Sequence, residues 1–272
     1  MPDGHEFDAY APKEIASRVE TIGVAKARMP LLSVLMLSAL AGAFIGLGAL
    51  YFVIVRSDPA LGFAARQVLG GVVFSLGLIL VVVAGAELFT GNNLLAMAWA
   101  DGKISTSELL RNWLLVCLGN FCGAAGLALL VYLSGHPDMN NGLIGQEVIR
   151  IAAAKVSMPF WTAFFKGMLC NVLVCMAVWM ALAGRSVVDK AVAIVFPISA
   201  FVAAGFEHSV ANMYFIPLAM MLQGFDHAGG TPITLAGMFG NLFPVILGNI
   251  IGGSVLVGLV YHVIYRRPSQ QS

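Results

Sequence analysis

The sequence predicts an all-α membrane protein with six transmembrane helices, arranged as an inverted repeat of three plus three, with the second and fifth helices broken. Three observations predict this fold. Hydrophobic residues make up 59% of the 272 and charged residues only 11%, whereas an ordinary soluble domain has about 25% charged residues. Single apolar runs exceed the ~20 residues that a helix needs to cross a bilayer. Two polar motifs within the longest runs also match each other.

Six apolar stretches predict the six crossings. The second and fifth are too long for one straight crossing, and each is interrupted near its middle, by AGAELFTGNN at 84–93 and AGFEHSVANM at 204–213. Backbone groups in lipid need internal partners, so non-helical backbone at this depth packs within protein or lines a cavity. The interruptions therefore indicate a path through the membrane. The predicted stretches are 31–55, 66–100, 111–133, 158–183, 187–221 and 239–265.

The motifs and the spans that follow them form an internal repeat. Ala84-Gly85-x-Glu87 matches Ala204-Gly205-x-Glu207 at an offset of 120, and LGNFCG at 118–123 matches LGNIIG at 247–252. Each half holds three crossings, an odd number, so the second half must be inverted relative to the first. Transporters built this way typically bind substrate near the midplane, between the broken helices.

Lysine and arginine counts predict that both termini are cytoplasmic. With this orientation ten of these residues face the cytoplasm and four face outside, as the positive-inside rule requires. Pro12 can open a helix in the N-terminal segment, with Ile15, Val19 and Ile22 on one face. This segment could lie on the membrane surface or gate the inner mouth.

Small residues indicate how the crossings pack. The glycines of SALAGAFIGLG at 38–48, and those of the last span, predict close helix contacts. The four cysteines all lie within apolar helices, where they predict neither a disulfide framework nor a metal site.

Few ionisable residues fall within the predicted spans. Each is a candidate functional residue, because placing an ionisable group within a membrane is costly. Glu87 and Glu207 either accept hydrogen bonds from backbone freed by the broken helices or contact a permeant molecule. His208 follows Glu207, and adjacent helical positions face different ways, so His208 can face a lumen. The alternative is a histidine satisfied among helices. Thr90 lies on the other break and could offer its hydroxyl to the same ring.

Several of these segments resemble the formate/nitrite transporter family, and its formate channels in particular. They are AELFTGNNLL, the spacing from Lys155 to Asn171, CNVLVCMAVWMA at 170–181, GFEHSVANM, LGNIIGG at 247–253 and the N-terminal FDAYAPKEIASRVETIGVAKA. The resemblance covers nearly the whole chain. It implies a homopentamer of aquaporin-like protomers in the cytoplasmic membrane, each with its own pore for small monovalent anions such as formate.

The resemblance also implies roles for individual residues. They are His208 and Thr90 at the centre of the pore; Lys155 as the outer basic residue; Asn171, Asn249 and Glu207 as polar groups in or behind the pore; Phe74, Leu78 and Phe201 in an outer apolar constriction; and Leu88, Phe89 and Val174 in an inner one. Two features depart from the family pattern. The loop at 222–238 is short, and Lys166 stands where an apolar residue is expected.

The resulting prediction is a pH-sensitive channel for formate or a related small anion, with no cofactor and no metal. Residues 1–29 are expected to form a cytoplasmic segment, 30–267 the channel domain and 268–272 a cytoplasmic tail. A nitrite or hydrosulfide channel and a proton-coupled anion carrier are alternatives. A membrane-embedded enzyme is disfavoured because Ser209 lacks a nucleophile-elbow context. A scaffold would leave the paired breaks unexplained, and a net charge of +1 without a basic patch argues against nucleic acid.

Overall fold

A computed structural model describes residues 9–226 and 232–266. Part of the short 222–238 loop, the first eight residues of the N-terminal segment and the predicted tail at 268–272 lie outside these ranges. The described residues are helical, without a β-strand. The helices are α1 Pro12–Ala27, α2 Leu31–Arg56, α3 Phe63–Gly85, α4 Phe89–Asn92, α5 Ala96–Ala100, α6 Thr106–Leu133, α7 Leu143–Val156, α8 Phe160–Ala183, α9 Val187–Ala203, α10 Ser209–Asp226 and α11 Leu235–Tyr265.

Five of the described helices, namely α2, α3, α6, α8 and α11, are long and apolar enough to cross a membrane. Their outward faces carry large exposed apolar side chains, such as Leu114 on α6 and Phe243 on α11. Apolar surface of this extent belongs in lipid or against another subunit. The chain is therefore a multi-pass membrane protein. The predicted fifth stretch consists of two helices in the structure, α9 and α10.

Local sequence fixes where several helices begin. At the start of α6, the Ser105 hydroxyl accepts a hydrogen bond from the N–H of Glu108. The Glu108 carboxylate in turn accepts one from the N–H of Ser105. Ser186 and Asp189 form the same reciprocal box before α9. These bonds satisfy main-chain donors that have no partner within the helix. A proline, Pro12, is the first residue of α1.

Glycines let two helix pairs approach until backbone meets backbone. A Cβ added to Gly42 of α2 would collide with the carbonyl oxygen of Asn120, and one added to Gly123 of α6 with that of Ala39. On α11, Gly248 and Gly252 press in the same way against α8. The α2–α6 and α8–α11 pairs are thus packed at the distance that small-residue motifs allow.

Two short stretches of non-helical backbone separate α3 from α4 and α9 from α10. Gly85 ends α3 with φ +86°, and Ala86 is extended. After α9, Gly205 has φ +69°. Both glycines adopt a left-handed conformation that side chains with a Cβ rarely tolerate. Each stretch is held by a neighbouring helix, since Glu87 donates its N–H to the Leu37 carbonyl at 3.2 Å and Glu207 donates its N–H to the Lys166 carbonyl at 3.3 Å.

Gly123→Ala should destabilise the protein, because the new methyl group forces α2 and α6 apart. Overpacking of this kind typically costs about 1–3 kcal/mol, so the melting temperature of the purified protein in detergent should fall by several degrees. Gly126→Ala on the same helix is the matched control, since a Cβ there meets nothing within 4 Å in the described residues. Equal melting temperatures for the two variants would contradict this packing.

Candidate functional site

The first non-helical stretch carries a buried carboxylate with a full set of partners. The Lys26 ammonium lies 2.8 Å from Glu87 Oε1, and the Asn92 amide donates to Glu87 Oε2 at 2.7 Å. The same amide donates to Asn112 Oδ1 at 3.0 Å, and Asn112 in turn donates to the Lys26 carbonyl at 3.1 Å. We call this group the Lys26 cluster. Its charges cancel and its hydrogen bonds close on themselves.

The second stretch carries the same arrangement. The Lys155 ammonium lies 2.8 Å from Glu207 Oε1, and Asn212 donates to Glu207 Oε2 at 2.7 Å. Asn212 also donates to Asn241 Oδ1 at 2.7 Å, and Asn241 donates to the Lys155 carbonyl at 2.9 Å. We call this group the Lys155 cluster. These four bonds match four bonds of the Lys26 cluster, which has one more, from the Lys26 ammonium to Asn92 Oδ1 at 3.0 Å.

Two further asparagines hold the ends of the non-helical stretches. Asn249 donates to the carbonyls of Gly167 and Glu207, at 2.8 and 3.1 Å, and accepts from the N–H of Ser209 at 3.1 Å. Asn120 makes the equivalent three bonds, to the carbonyls of Ser38 and Glu87 and from the N–H of Phe89. The bonds to the non-helical stretches satisfy buried backbone groups that would otherwise have no partner at this depth, and those to the carbonyls of Gly167 and Ser38 join the stretches to neighbouring helices.

His208 and Thr90 come together where α4 meets α10. The histidine is 3% exposed, and its Nε2 lies 3.1 Å from Thr90 Oγ1. Its Nδ1 accepts from the N–H of Ala211 at 3.1 Å. The ring stacks against Phe201, with centroids 5.8 Å apart and an interplanar angle of 17°. The imidazole is therefore held on both nitrogens and on one face.

Asn171 on α8 ties this contact to the neighbouring helices. Its amide nitrogen, which carries two hydrogens, lies 2.7 Å from both the Asn249 carbonyl and Asn93 Oδ1 and 3.2 Å from the Thr90 carbonyl. The backbone of α4 next to Thr90 is thereby fixed to α8 and α11. Asn171 and Asn249, which the family resemblance places in or behind the pore, thus support backbone in the structure.

Two cavities adjoin the two charged clusters. One, of about 520 Å³, is lined by Lys26, Glu87 and Asn92 together with apolar residues of α1, α2 and α3. The other, of about 100 Å³, is lined by Lys155 and Glu207 and also by His208. We call them the Lys26 cavity and the Lys155 cavity. Each combines one charged cluster with an otherwise apolar wall.

Comparison with known proteins places this geometry in a family. A sequence profile described as formate/nitrite transporter matches residues 13–263. The chain is 41% identical to the formate channel FocA of Escherichia coli (strain K12) over 280 residues, which cover 98% of both chains. The chain belongs to the formate/nitrite transporter family. The resemblance that the sequence motifs predict is therefore confirmed.

Solved structures of this family share the fold. A structure described as a pentameric formate channel with formate bound superposes with a TM-score of 0.81 and 37% sequence identity, covering 86% of this chain and 97% of the other. A structure described as an FNT family ion channel superposes with a TM-score of 0.83 and 34% identity, covering 92% and 98%. The all-helical fold of this formate/nitrite transporter family member is thus the fold of channels.

Where lining positions of the two cavities are related by the offset of 120, the Lys155 cavity has the larger side chains. Phe206 lines the Lys155 cavity, whereas the residue 120 positions earlier, Ala86, lines the Lys26 cavity. Phe201 has Val81 as its counterpart in the same way. Aromatic rings occupy these positions in the Lys155 cavity, whereas smaller side chains occupy them in the Lys26 cavity.

The residues predicted to form the two apolar constrictions are all buried. Phe74 and Phe201 both line the Lys155 cavity, with ring centroids 5.8 Å apart. Leu78 and Leu88 line the Lys26 cavity. Phe89 and Val174 lie in the buried core, 2% and 1% exposed.

Sequence reasoning missed Lys26 as a member of the site. It treated this lysine only as one of the positive charges that set orientation. A signal was nevertheless available, because LGNFCG and LGNIIG are 129 positions apart, and the same offset relates Lys26 to Lys155 and Asn112 to Asn241. Helices α1 and α7 end at Ala27 and Val156, which are also 129 positions apart. The N-terminal helix is therefore the counterpart of α7.

A third charged group fastens α1 to the helix bundle. Glu20, 1% exposed, lies 2.6 Å from the Lys103 ammonium and 2.8 Å from Arg266 Nε. Asp101 and His262 lie nearby, with potential ligand atoms of Glu20, Asp101 and His262 within 4.8 Å of one another. Burial works against the charge on Lys103, but hydrogen bonds to Asp101 and Glu20 outweigh it and raise the pKa above the ordinary value. Lys103 and Arg266 thus offset the charges of these carboxylates.

Asn249→Ala should destabilise the protein, because it leaves the carbonyl of Glu207 and the N–H of Ser209 without partners. A buried unsatisfied polar group costs about 1–3 kcal/mol, so the melting temperature should fall markedly. Gln146→Ala is the matched control, since it removes an exposed amide from α7. A melting temperature of Asn249→Ala within a degree or so of that of the control would contradict a supporting role for Asn249.

Proposed function

We propose that this protein is a pH-sensitive channel that passes formate or a closely related small monovalent anion through the cytoplasmic membrane. The observation that carries the proposal is the buried His208–Thr90 contact, 3.1 Å long, with His208 in the wall of the Lys155 cavity. A lysine lines each of the two cavities. The names of the relatives support it, since FocA is a formate channel and one solved relative has formate bound.

The proposed architecture has six crossings in two inverted halves, with α3–α4 and α9–α10 as the broken second and fifth helices. The Lys26 and Lys155 clusters support this arrangement, because four side-chain bonds of one have counterparts in the other. In an inverted repeat the two clusters lie at opposite mouths. With cytoplasmic termini, Lys26 is at the inner mouth and Lys155 at the outer one.

Charge and apolar lining give the proposed path its selectivity. The lysines and the positive ends of helix dipoles attract an anion. The path also contains Phe74, Phe201, Leu78 and Leu88, which disfavour hydrated cations because moving a charge into an apolar ring costs several kcal/mol. An anion therefore needs polar contacts midway, and His208 with Thr90 supplies them.

Protonating the permeant anion is a second way to lower the free-energy barrier to its passage. A small carboxylic acid titrates near pH 4, so its neutral form costs about 4 kcal/mol at neutral pH, at about 1.4 kcal/mol per unit. This cost is comparable with that of the bare anion in an apolar ring. A titratable group at the midpoint can therefore decide between the routes. We propose that His208 is this group and the origin of the pH sensitivity.

Assembly and the N-terminal helix complete the proposal. Because one solved relative is described as pentameric, we infer a homopentamer whose subunits contact one another and lipid through the exposed apolar faces.

Helix α1 supplies Val19, Ile22 and Lys26 to the wall of the Lys26 cavity. From there it can narrow the inner mouth, which makes it part of the channel rather than an anchor on the membrane surface.

His208→Phe should lower formate flux into proteoliposomes or abolish its pH dependence, because it removes the polar contact and keeps the ring volume. Stopped-flow light scattering at several pH values measures both effects. His136→Phe is the matched control, since His136 lies in a short turn after α6, away from both cavities. Flux and pH dependence unchanged in His208→Phe would refute the proposed role.

Lys155→Met should lower formate uptake at low ionic strength by about tenfold, the lower end of the range for electrostatic steering. The difference should shrink at high salt, because salt screens the attraction. The double variant with Glu207→Gln removes the stranded carboxylate and separates loss of steering from a new negative charge. Lys13→Met, at an exposed position of α1, is the control. A salt-independent effect would show that Lys155 acts only through structure.

A further inference from the structure

Lys166 is a cation within a membrane-crossing helix, and its ammonium group has no partner among the described residues. It is the seventh residue of α8 and is half-buried. Within the described part of the chain its side chain makes neither a hydrogen bond nor an ion pair. Lys26 and Lys155, by contrast, each lie 2.8 Å from a carboxylate oxygen. A charged group within a membrane is costly, so Lys166 needs an anionic partner from its surroundings.

The outward face of α8 next to Lys166 is aromatic. Trp161 is 65% exposed and Phe165 54% exposed, and their rings lie 6.2 Å apart. Phe243 of α11 is 61% exposed and extends this face, with its ring 6.4 Å from that of Phe160. We call these residues the aromatic face. Tryptophan is enriched at the level of lipid headgroups, so this end of α8 has the composition of a membrane–water interface.

The side chain of Lys166 can bring its charge to the headgroup level. Lys166 follows Phe160, the first residue of α8, by about 9 Å along the helix axis at ~1.5 Å per residue. Side chains on a helix tilt toward its N-terminus, and lysine lays its stem along apolar surface while its charge reaches the interface. Thr162 lies one turn earlier on the same side of α8. Its exposed hydroxyl makes no hydrogen bond within the described residues, so this side of α8 offers two polar groups.

A lipid phosphate suits these groups better than a carboxylate of a second copy of the chain. Glu87 and Glu207, the carboxylates at the breaks, are buried and already paired with lysines. Asp58 and Asp138 lie in the connections after α2 and α6, outside the crossings. The described residues of a second copy therefore bring no unpaired carboxylate to the membrane-facing surface of α8, whereas every phospholipid carries a phosphate at the level of an interfacial tryptophan.

We propose that Lys166 and Thr162 bind the phosphate of an anionic phospholipid at the outer end of α8, with its acyl chains against the aromatic face. The charge of one lysine near the membrane surface favours an anionic lipid over a zwitterionic one. Only the assignment to the outer leaflet rests on the proposed function, through its orientation of the chain. Binding of the lipid itself requires no anion conduction.

Quenching of Trp161 fluorescence by lipids with brominated acyl chains tests this site. In phosphatidylcholine vesicles, increasing fractions of the lipid are replaced by brominated phosphatidylglycerol or brominated phosphatidylcholine. The signal of Trp161 is the part that disappears in Trp161→Phe. Phosphatidylglycerol should associate there about fivefold more strongly, the size of the attraction that one basic residue provides near an anionic membrane. Equal association of the two lipids would overturn the proposal. Absence of quenching by either would also overturn it, because this face would then lie against another subunit.

Variants of Lys166 assign the preference to its charge. Lys166→Leu should abolish the preference and Lys166→Arg should keep it. An apolar residue suits a membrane-facing position, so Lys166→Leu is expected to fold. Arg111→Leu is the matched control, since it removes an exposed cation from α6 and should leave the preference unchanged. An undiminished preference in Lys166→Leu would refute the site.

Formate flux measured in the same vesicles separates two kinds of failure. A protein that prefers phosphatidylglycerol at Trp161 but passes no formate would contradict only the proposed function. A protein that passes formate without this lipid preference would contradict only the lipid site.

Discussion

Each of two carboxylates, Glu87 and Glu207, lies buried in a stretch of non-helical backbone and is bonded to one lysine and one asparagine. The rest of the structure depends on these two clusters. Without the other members of its cluster, each carboxylate would be a buried charge with no partner in the apolar part of the molecule, which is costly. With them, the ends of α4 and α10 are fixed, and Thr90 and His208 are brought within 3.1 Å.

The sequence leaves two roles open for these glutamates, accepting hydrogen bonds from freed backbone or contacting a permeant molecule. Lysine and asparagine side chains, rather than freed backbone donors, occupy the carboxylate oxygens. Asparagines Asn120 and Asn249 bond the backbone instead. The glutamates thus hold the lysines at the two cavities, and on the proposed function an anion meets a lysine whose charge is already partly balanced. Such a site attracts an anion without binding it tightly, as conduction requires.

The helical fold and the pairing of Thr90 with His208 could be predicted from the sequence because they depend on local signals: apolar length, interrupted runs and two repeated motifs. Lys26 was missed because its counterpart lies 129 positions away, while the motifs around the carboxylates are 120 positions apart, so one offset does not reveal the whole cluster. The unequal cavities could not be predicted either. They follow from the packing of Phe201 and Phe206 against residues distant in sequence, which no periodicity reports.

The two clusters therefore share one arrangement of lysine, glutamate and asparagines, but the positions around them hold different side chains. The position of His208 corresponds to Leu88 at the offset of 120, and that of Phe206 to Ala86. The Lys155 cavity is therefore small and lined by an imidazole, while leucine and alanine take those positions in the larger Lys26 cavity. The most direct test of anion conduction compares the entry of formate and of potassium into the same proteoliposomes under matched gradients. The account predicts rapid protein-dependent entry of formate and negligible entry of potassium. Equal rates for the two ions, or formate entry no faster than into protein-free vesicles, would contradict it.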